Sequence, residues 1–276
     1  MIARLNAAFE AAGAVAWGGM SYATLSAHMD DISRGKAEES VSRPSSVLVA
    51  AFPYFTGETA GNLSVYARGR DYHTVLRRRL DTVCNLLQRE YPECSFFSAA
   101  DSSPLPEREA AWLSGLGLRG KNGLFILPPY GSYVFLGTIL TNAALDLPSV
   151  QPAPDCMNCG KCLAACPTRA LDDGMAGCLS DLTQKKGGLS VSEAALLKAH
   201  PYIWGCDICQ NVCPYNQSPK IAPLPEFEED YLADLTGEML EGLTNRTFAE
   251  KFGHRAFAWR GPAVLRRNLN FKLNQN

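Results

Sequence analysis

Two cysteine runs between Cys156 and Pro214 limit what this chain can fold into more than any other feature. The first reads CMNCGKCLAACPT (156–168) and the second CDICQNVCPYN (206–216). Cys156, Cys159, Cys162 and Cys166, followed by Pro167, stand at the C-x2-C-x2-C-x3-C-P spacing of bacterial ferredoxins, in which the fourth thiolate serves the other of two clusters. Cys206, Cys209 and Cys213, with Pro214, repeat the motif short of one thiolate. Two cubanes need eight ligands and the runs supply seven, so Cys178, between them, is the candidate for the eighth. Crossed ligation then assigns Cys156, Cys159, Cys162 and Cys213 to one [4Fe-4S] cluster, and Cys166, Cys178, Cys206 and Cys209 to the other.

Short spacings let one turn of backbone aim several thiolates at one cubane, and the proline ends the turn. Apolar burial and backbone N–H groups around the sulfurs then set the potential. A disulfide framework is a weaker reading in a long chain without a secretion signal, and zinc ordinarily takes two pairs of ligands rather than this triple plus one.

With 276 residues and a mass of 30.0 kDa, the chain can hold one large domain or two modest ones, each with its own core. A net charge of −2 and an isoelectric point near 6.1 provide no global basic field, so any nucleic-acid contact must be a local patch. The N-terminus is amphipathic rather than a signal sequence, and no window reads as a membrane span. Ten cysteines in such a chain point to the reducing cytoplasm. Cys84 and Cys94 are left over and read as buried structural thiols.

Along the chain, Ile2, Leu5, Ala8 and Phe9 predict a helix ended by Gly13, and Ala14 to Trp17 a strand. A helix is expected around Leu25 to Ile32. Ser46 to Phe52 is an unbroken apolar run, the pattern of a strand covered on both faces. The segment YARGRDYH (66–73) gathers Tyr66, Arg68, Arg70, Tyr72 and His73 in a way that suits a large, partly anionic cofactor. Leu76, Leu80, Val83 and Leu87 then form one helical stripe. Asp101 precedes a proline-led helix, PEREAAWL, where an acid would ordinarily serve as a cap. Gly120 to Gly123 reads as a turn, and 124–127 and 134–140 as the two strands of a hairpin. Ser190 to Ala199 reads as a helix. The tail is acidic over 225–242 and then basic at Arg246, Lys251, Arg255, Arg260, Arg266, Arg267 and Lys272, either a self-paired surface or a phosphate contact.

Taken in order, SVLVAAFPY (46–54), YARGRDYH, Asp101 with the SSPLPER that follows it (102–108), GLGLRGKNGLFI (115–126), GSYVFLGTILT (131–141), both cysteine runs and RRN (266–268) resemble the epoxyqueuosine reductase family. The resemblance spreads over most of the chain, and Cys178 sits where that family has its isolated cluster ligand. It implies an α/β (α+β) cobalamin-binding domain over 1–150, a ferredoxin-like double [4Fe-4S] module over 151–220, and a helical extension over 221–276. It also implies reduction of epoxyqueuosine in tRNA to queuosine by cob(I)alamin that the two clusters reduce. Longer members continue into helical repeats, and this chain stops near their start.

By the same resemblance Asp101 is the proton donor, for which a pKa raised by desolvation is expected. Tyr66, Arg70, His73 and Lys121 are the expected cobalamin contacts. The implied partners are tRNA and an external low-potential donor of ferredoxin or flavodoxin type, in the cytoplasm and away from membranes. Two other functions are weighed: a cobalamin-dependent reductase of a small molecule, akin to reductive dehalogenases, and a plain electron carrier. The long half before Cys156 argues against the carrier.

Overall fold

The computed structural model describes residues 1–273, and the chain divides into two compact units that alternate along the sequence. One comprises 1–54, 72–158 and 219–224, and the other 55–71, 159–218 and 225–276. The units thus interleave along the chain, where three consecutive segments, 1–150, 151–220 and 221–276, are expected from sequence.

The first unit is built on a four-stranded antiparallel sheet in the order β1-β2-β6-β3, made of β1 (Ala16–Ser21), β2 (Ser46–Pro53), β3 (Phe96–Ala99) and β6 (Val134–Thr141). All eight residues of β2 are buried. A continuous apolar run of this kind usually marks a parallel strand. Here the strand is central and antiparallel on both sides, pairing Ala16 with Ala51 and Ser46 with Thr141.

Helices cover both faces of the sheet, which accounts for the uninterrupted apolarity. On one face Val47, Val49, Ala51, Leu136 and Leu140 pack with Leu25 of α2 (Tyr22–Ser26) and with Ala110, Ala111 and Leu113 of α5 (Glu107–Leu113). On the other lies α4 (Tyr72–Glu90), which buries Leu76, Leu80, Val83 and Leu87 as their spacing predicts. Gly137 permits that approach, because a Cβ there would stand 2.6 Å from Leu80 Cδ1.

Three local expectations shift. The helix expected at Leu25 to Ile32 is instead α2 and then α3 (Asp31–Ser40), the second begun by Asp30, whose carboxylate accepts the Ser33 N–H at 2.7 Å. The hairpin expected between 124–127 and 134–140 does not form. Its first strand, β5 (Phe125–Ile126), pairs with β4 (Leu118–Arg119), because both edges of β6 are taken by β2 and β3. The strand after Gly13 starts at Ala16 and runs on to Ser21.

The second unit is mostly helical, with α1 (Ile2–Ala11) belonging to the first. Its short helices are α6 (Lys161–Ala165), α7 (Leu179–Gln184), α8 (Val191–Ala199) and α9 (Ile208–Asn211). Then come α10 (Pro225–Glu228), α11 (Gly237–Leu240), α12 (Asn245–Phe252) and α13 (Pro262–Leu273). A capping box of Ser190 and Glu193 starts α8 where the sequence places it.

Asn268 is fully buried and donates to the carbonyls of Thr183 at 2.7 Å and Ile203 at 2.8 Å, tying α13 to the stretch between the cysteine runs. The basic tail is largely spent inside the unit. Arg255 donates to the carbonyls of Arg68 and Asp230, Arg266 to those of Leu240 and Leu243, and Arg267 to those of Lys185 and Gly187.

A candidate proton-delivery site and a candidate cluster module

β3 ends at Ala99, and two residues later Asp101 takes a left-handed backbone conformation with φ of 58°. Only asparagine, aspartate and glycine visit that region readily, the first two through local hydrogen bonding. The turn is closed by the Ser102 N–H on Ala100 O at 2.7 Å and the Ser103 N–H on Asp101 O at 2.8 Å. This geometry swings the Asp101 carboxylate to the start of α4. There Oδ2 accepts the Tyr72 hydroxyl at 2.8 Å and lies 3.0 Å from His73 Nε2.

Tyr72 is fixed in turn by stacking. Its ring lies 4.1 Å from that of His73 and 4.2 Å from that of Phe135 on β6, and Phe135 stacks on Tyr54. The Asp101 side chain remains 63% exposed and that of His73 29%. Asp101, Ser102 and Ser103 also line an open hollow of about 550 Å³ whose far wall is formed by Lys36 and Glu39 of α3.

The capping role does not apply to Asp101, since α5 begins at Glu107 with no side-chain cap. The bond runs the other way, with the Asp101 N–H donating to Glu107 Oε1 at 2.8 Å. The electrostatics also differ from expectation. The hydrogen bond from His73 foremost, with that from Tyr72, outweighs partial burial and holds the Asp101 carboxyl below the usual carboxylate range. Glu107 is the carboxyl shifted upward: burial pushes it to about 8, the Asp101 charge adds to this, and the Asp101 N–H opposes it. An acid raised by desolvation is therefore present, one turn of chain away from the residue for which it is expected.

Among the residues singled out by sequence, the fold brings His73 to Asp101. Lys121 lies elsewhere in the same unit, its amino group 2.8 Å from Asn158 Oδ1 and its N–H donating to Cys156 Sγ at 3.4 Å. Arg70 pairs with Glu229 at 3.2 Å and Asp230 at 3.3 Å within the second unit. Tyr66 packs beside Gly205, where an added Cβ would come within 2.8 Å of its ring.

None of the ten cysteines is in a disulfide. The start of the first run is bolted to β4, where the Cys156 N–H donates to Arg119 O at 3.0 Å and Asp155 pairs with the Arg119 guanidinium at 2.9 Å. Burial opposes ionisation of Cys166. Even so, the N–H groups of Leu171, Thr168 and Ala170 and the Thr168 hydroxyl bring it below the ordinary thiol range, as suits a metal-bound thiolate.

Burial pushes the Cys206 thiol up to about 12, and its neighbours Cys209, Asp207 and Cys178 add to the rise. Three of the four sulfurs assigned to the second cluster are thus within electrostatic reach of one another. Among the described residues no three cysteine, histidine or carboxylate side chains converge as ligands of a single ion would. A cubane instead takes one thiolate per iron, so cysteines outside any disulfide, with N–H groups at the Cys156 and Cys166 sulfurs, fit it. Asp207, almost fully buried, caps the neighbourhood by accepting the Ser64 hydroxyl and the Val65 N–H, the latter at 2.8 Å.

Two members of the site, Glu107 and Tyr72, carry no assigned role in the sequence alone. Tyr72 stands inside a segment singled out for its composition, whereas Glu107 is one acid among three charged residues opening a helix.

An antiparallel α+β unit with an aspartate site, joined in sequence to a double run of cysteines at ferredoxin spacing, defines a protein of the ferredoxin-like iron–sulfur class. Comparison with known proteins makes this specific. Residues 155–216 match the 4Fe-4S double cluster binding domain, and residues 34–102 match the family described as "Epoxyqueuosine reductase QueG, DUF1730".

The epoxyqueuosine reductase of Lactococcus garvieae is 38% identical over 229 residues, 80% of this chain and 64% of that one. That of Synechocystis sp. is 33% identical over 273 residues, 93% of either chain. A crystal structure of epoxyqueuosine reductase with a tRNA-Tyr epoxyqueuosine-modified stem loop superposes with a TM-score of 0.84 at 28% identity, covering 99% of this chain and 80% of that one. The chain belongs to the epoxyqueuosine reductase family. It spans 64% and 54% of the length of the first two curated relatives it matches. Among the described residues no helix is long and apolar enough to cross a membrane.

Proposed function

We propose that this protein is a cytoplasmic epoxyqueuosine reductase that converts epoxyqueuosine in tRNA to queuosine. One observation carries the reading beyond family membership: Asp101 is held by Tyr72 and His73 at an open hollow. The overall reaction, epoxide to alkene, consumes two electrons and two protons and releases water, so the protein must supply both.

Cys156, Cys159, Cys162 and Cys213 would hold one [4Fe-4S] cluster and Cys166, Cys178, Cys206 and Cys209 the other, and the pair would supply a route for electrons from an external low-potential donor. Bound cobalamin would supply a strong nucleophile for opening the epoxide. His73 lies at the same place as Asp101, and Tyr66, Arg70 and Lys121 are the other proposed contacts to the cofactor.

The protein's own part is proton delivery. Asp101 is ionised when paired with His73, so the transferable proton belongs to the pair rather than to a carboxylic acid standing alone. The Asp101–His73 pair carries one proton, which passes through Asp101 to the oxygen leaving the substrate ring, and reprotonation of the pair from solvent then provides the second proton of the overall reaction. Tyr72, clamped between His73 and Phe135, keeps Oδ2 in place during the transfer.

The test uses protein reconstituted anaerobically with iron, sulfide and cobalamin, an artificial low-potential reductant, and tRNA carrying epoxyqueuosine. Mass spectrometry of the digested nucleosides is expected to show epoxyqueuosine replaced by queuosine. Fully loaded protein that leaves epoxyqueuosine intact would overturn the proposal.

A further inference from the structure

The turn carrying Asp101 has a left-handed conformation that aspartate adopts with the help of hydrogen bonds. Its φ of 58° lies in the left-handed region, where the Cβ of an L-residue crowds the following carbonyl oxygen. The hydrogen bonds inside the turn, at Ser102 and Ser103, follow from that conformation rather than cause it. The contact anchoring Asp101 from outside the turn on its backbone side is the one to Glu107.

Glu107 is well placed for this. It opens α5, whose Ala110, Ala111 and Leu113 are buried against the sheet and anchor the helix that carries it. The next residue, Arg108, donates to the carbonyl of Gly123 at 2.6 Å and pins the same end of the helix to the 120–123 turn.

We infer that Glu107 is the positioning residue of the proposed reaction: by accepting the Asp101 N–H, it holds the aspartate turned toward Tyr72 and His73. This inference rests on the proposed function for its kinetic consequence but not for its geometry. The charged and titratable groups facing Glu107 are Asp101 from the turn, His73 from α4 and Arg108 from α5. Near neutral pH Glu107 is a neutral acid whose oxygen accepts the N–H without adding a second negative charge beside the Asp101 carboxylate. Once it ionises, the N–H bond is kept, but a second negative charge stands beside the Asp101 carboxylate, which then holds its proton more tightly and gives it up less readily.

The experiment compares Glu107→Gln and Glu107→Ala with the wild type. Glutamine keeps the accepting oxygen and cannot ionise, whereas alanine removes the acceptor. With reconstituted enzyme and epoxyqueuosine-containing tRNA, Glu107→Ala is expected to lower kcat on the order of a hundredfold, as misplacement of a catalytic group by an ångström does, with KM little changed. Glu107→Gln is expected to restore most of that rate at pH 7 and to abolish the fall in wild-type kcat as pH rises through about 8.

A second readout needs no turnover. The backbone amide resonance of Asp101 is expected to shift as Glu107 titrates in the wild type and to stay constant over the same range in Glu107→Gln. Equal kcat in Glu107→Ala and wild type, or an Asp101 amide that titrates identically in Glu107→Gln, would overturn the inference. If the wild type itself fails to turn over tRNA, the proposed function falls, and the amide titration alone decides the role of Glu107.

Discussion

His73 Nε2 lies 3.0 Å from Asp101 Oδ2, and this contact is the largest cause holding the Asp101 carboxyl below its ordinary range. Substituting His73 by glutamine removes the imidazole and its hydrogen bond to Asp101. The Asp101 carboxyl is then expected to titrate at higher pH, as read by carboxyl carbon chemical shift. A depressed carboxylate stabilises the fold above its unfolded pKa, and that contribution is lost as pH falls through the folded value. His73→Gln should therefore flatten the acid limb of the stability curve below about pH 4. Turnover should fall as well, because the proton shared by the pair is gone.

Glu107 predicts the opposite pH dependence. Its folded pKa is raised to about 8, so between its unfolded value and that point the native state binds a proton that the unfolded chain has lost. Stability then declines as pH rises through the window. Glu107→Gln should be more stable than the wild type at pH 9, by up to a few kcal/mol, with the difference vanishing below about pH 4. Urea denaturation at the two pH values would measure it.

In the second unit, Asn268 provides a prediction independent of any cofactor. Replacing it by leucine leaves two buried carbonyls, of Thr183 and Ile203, without their donor. Each unsatisfied group costs about 1–3 kcal/mol, so a loss of roughly 2–6 kcal/mol in unfolding free energy is expected. A loss below about 1 kcal/mol would mean that another donor replaces it.

Cys178 tests the cluster assignment. Cys178→Ala should reduce iron from about eight to about four per chain, because only the cluster using Cys166, Cys206 and Cys209 loses a ligand. Iron analysis with electron paramagnetic resonance of the reduced protein would show one cluster signal in place of two. Chelation of both clusters should lower the melting temperature, since metal binding contributes to folding.

How much of this is legible in the sequence depends on whether a residue's role is local. Leu76, Leu80, Val83 and Leu87 are legible because a helix repeats its environment every three to four residues, and Ser190 with Glu193 because a capping box closes within one turn. The buried β2 is legible as a strand but not as an antiparallel one, since apolarity on both faces reports burial and not the direction of neighbours. The hairpin fails because residues 46–53 and 96–99, far away in sequence, compete for the edges of β6.

At the site, Asp101 is legible through its motif, but its environment is not. His73 precedes it by 28 residues, and the bond that joins the two acids runs from the Asp101 backbone to Glu107. No periodicity encodes either contact. The basic tail reads equally well as a phosphate surface because composition cannot show that Arg255, Arg266 and Arg267 end on carbonyls of their own unit.

The central claim is that Asp101 delivers the proton in reduction of epoxyqueuosine. The most direct measurement sets Asp101→Asn beside the wild type, both verified to carry equal iron and cobalt, and follows queuosine formation in tRNA by mass spectrometry. The account predicts queuosine from the wild type and a rate lower by about 10²–10⁴-fold from Asp101→Asn, the range for losing a general acid. Equal rates from the two proteins would contradict it.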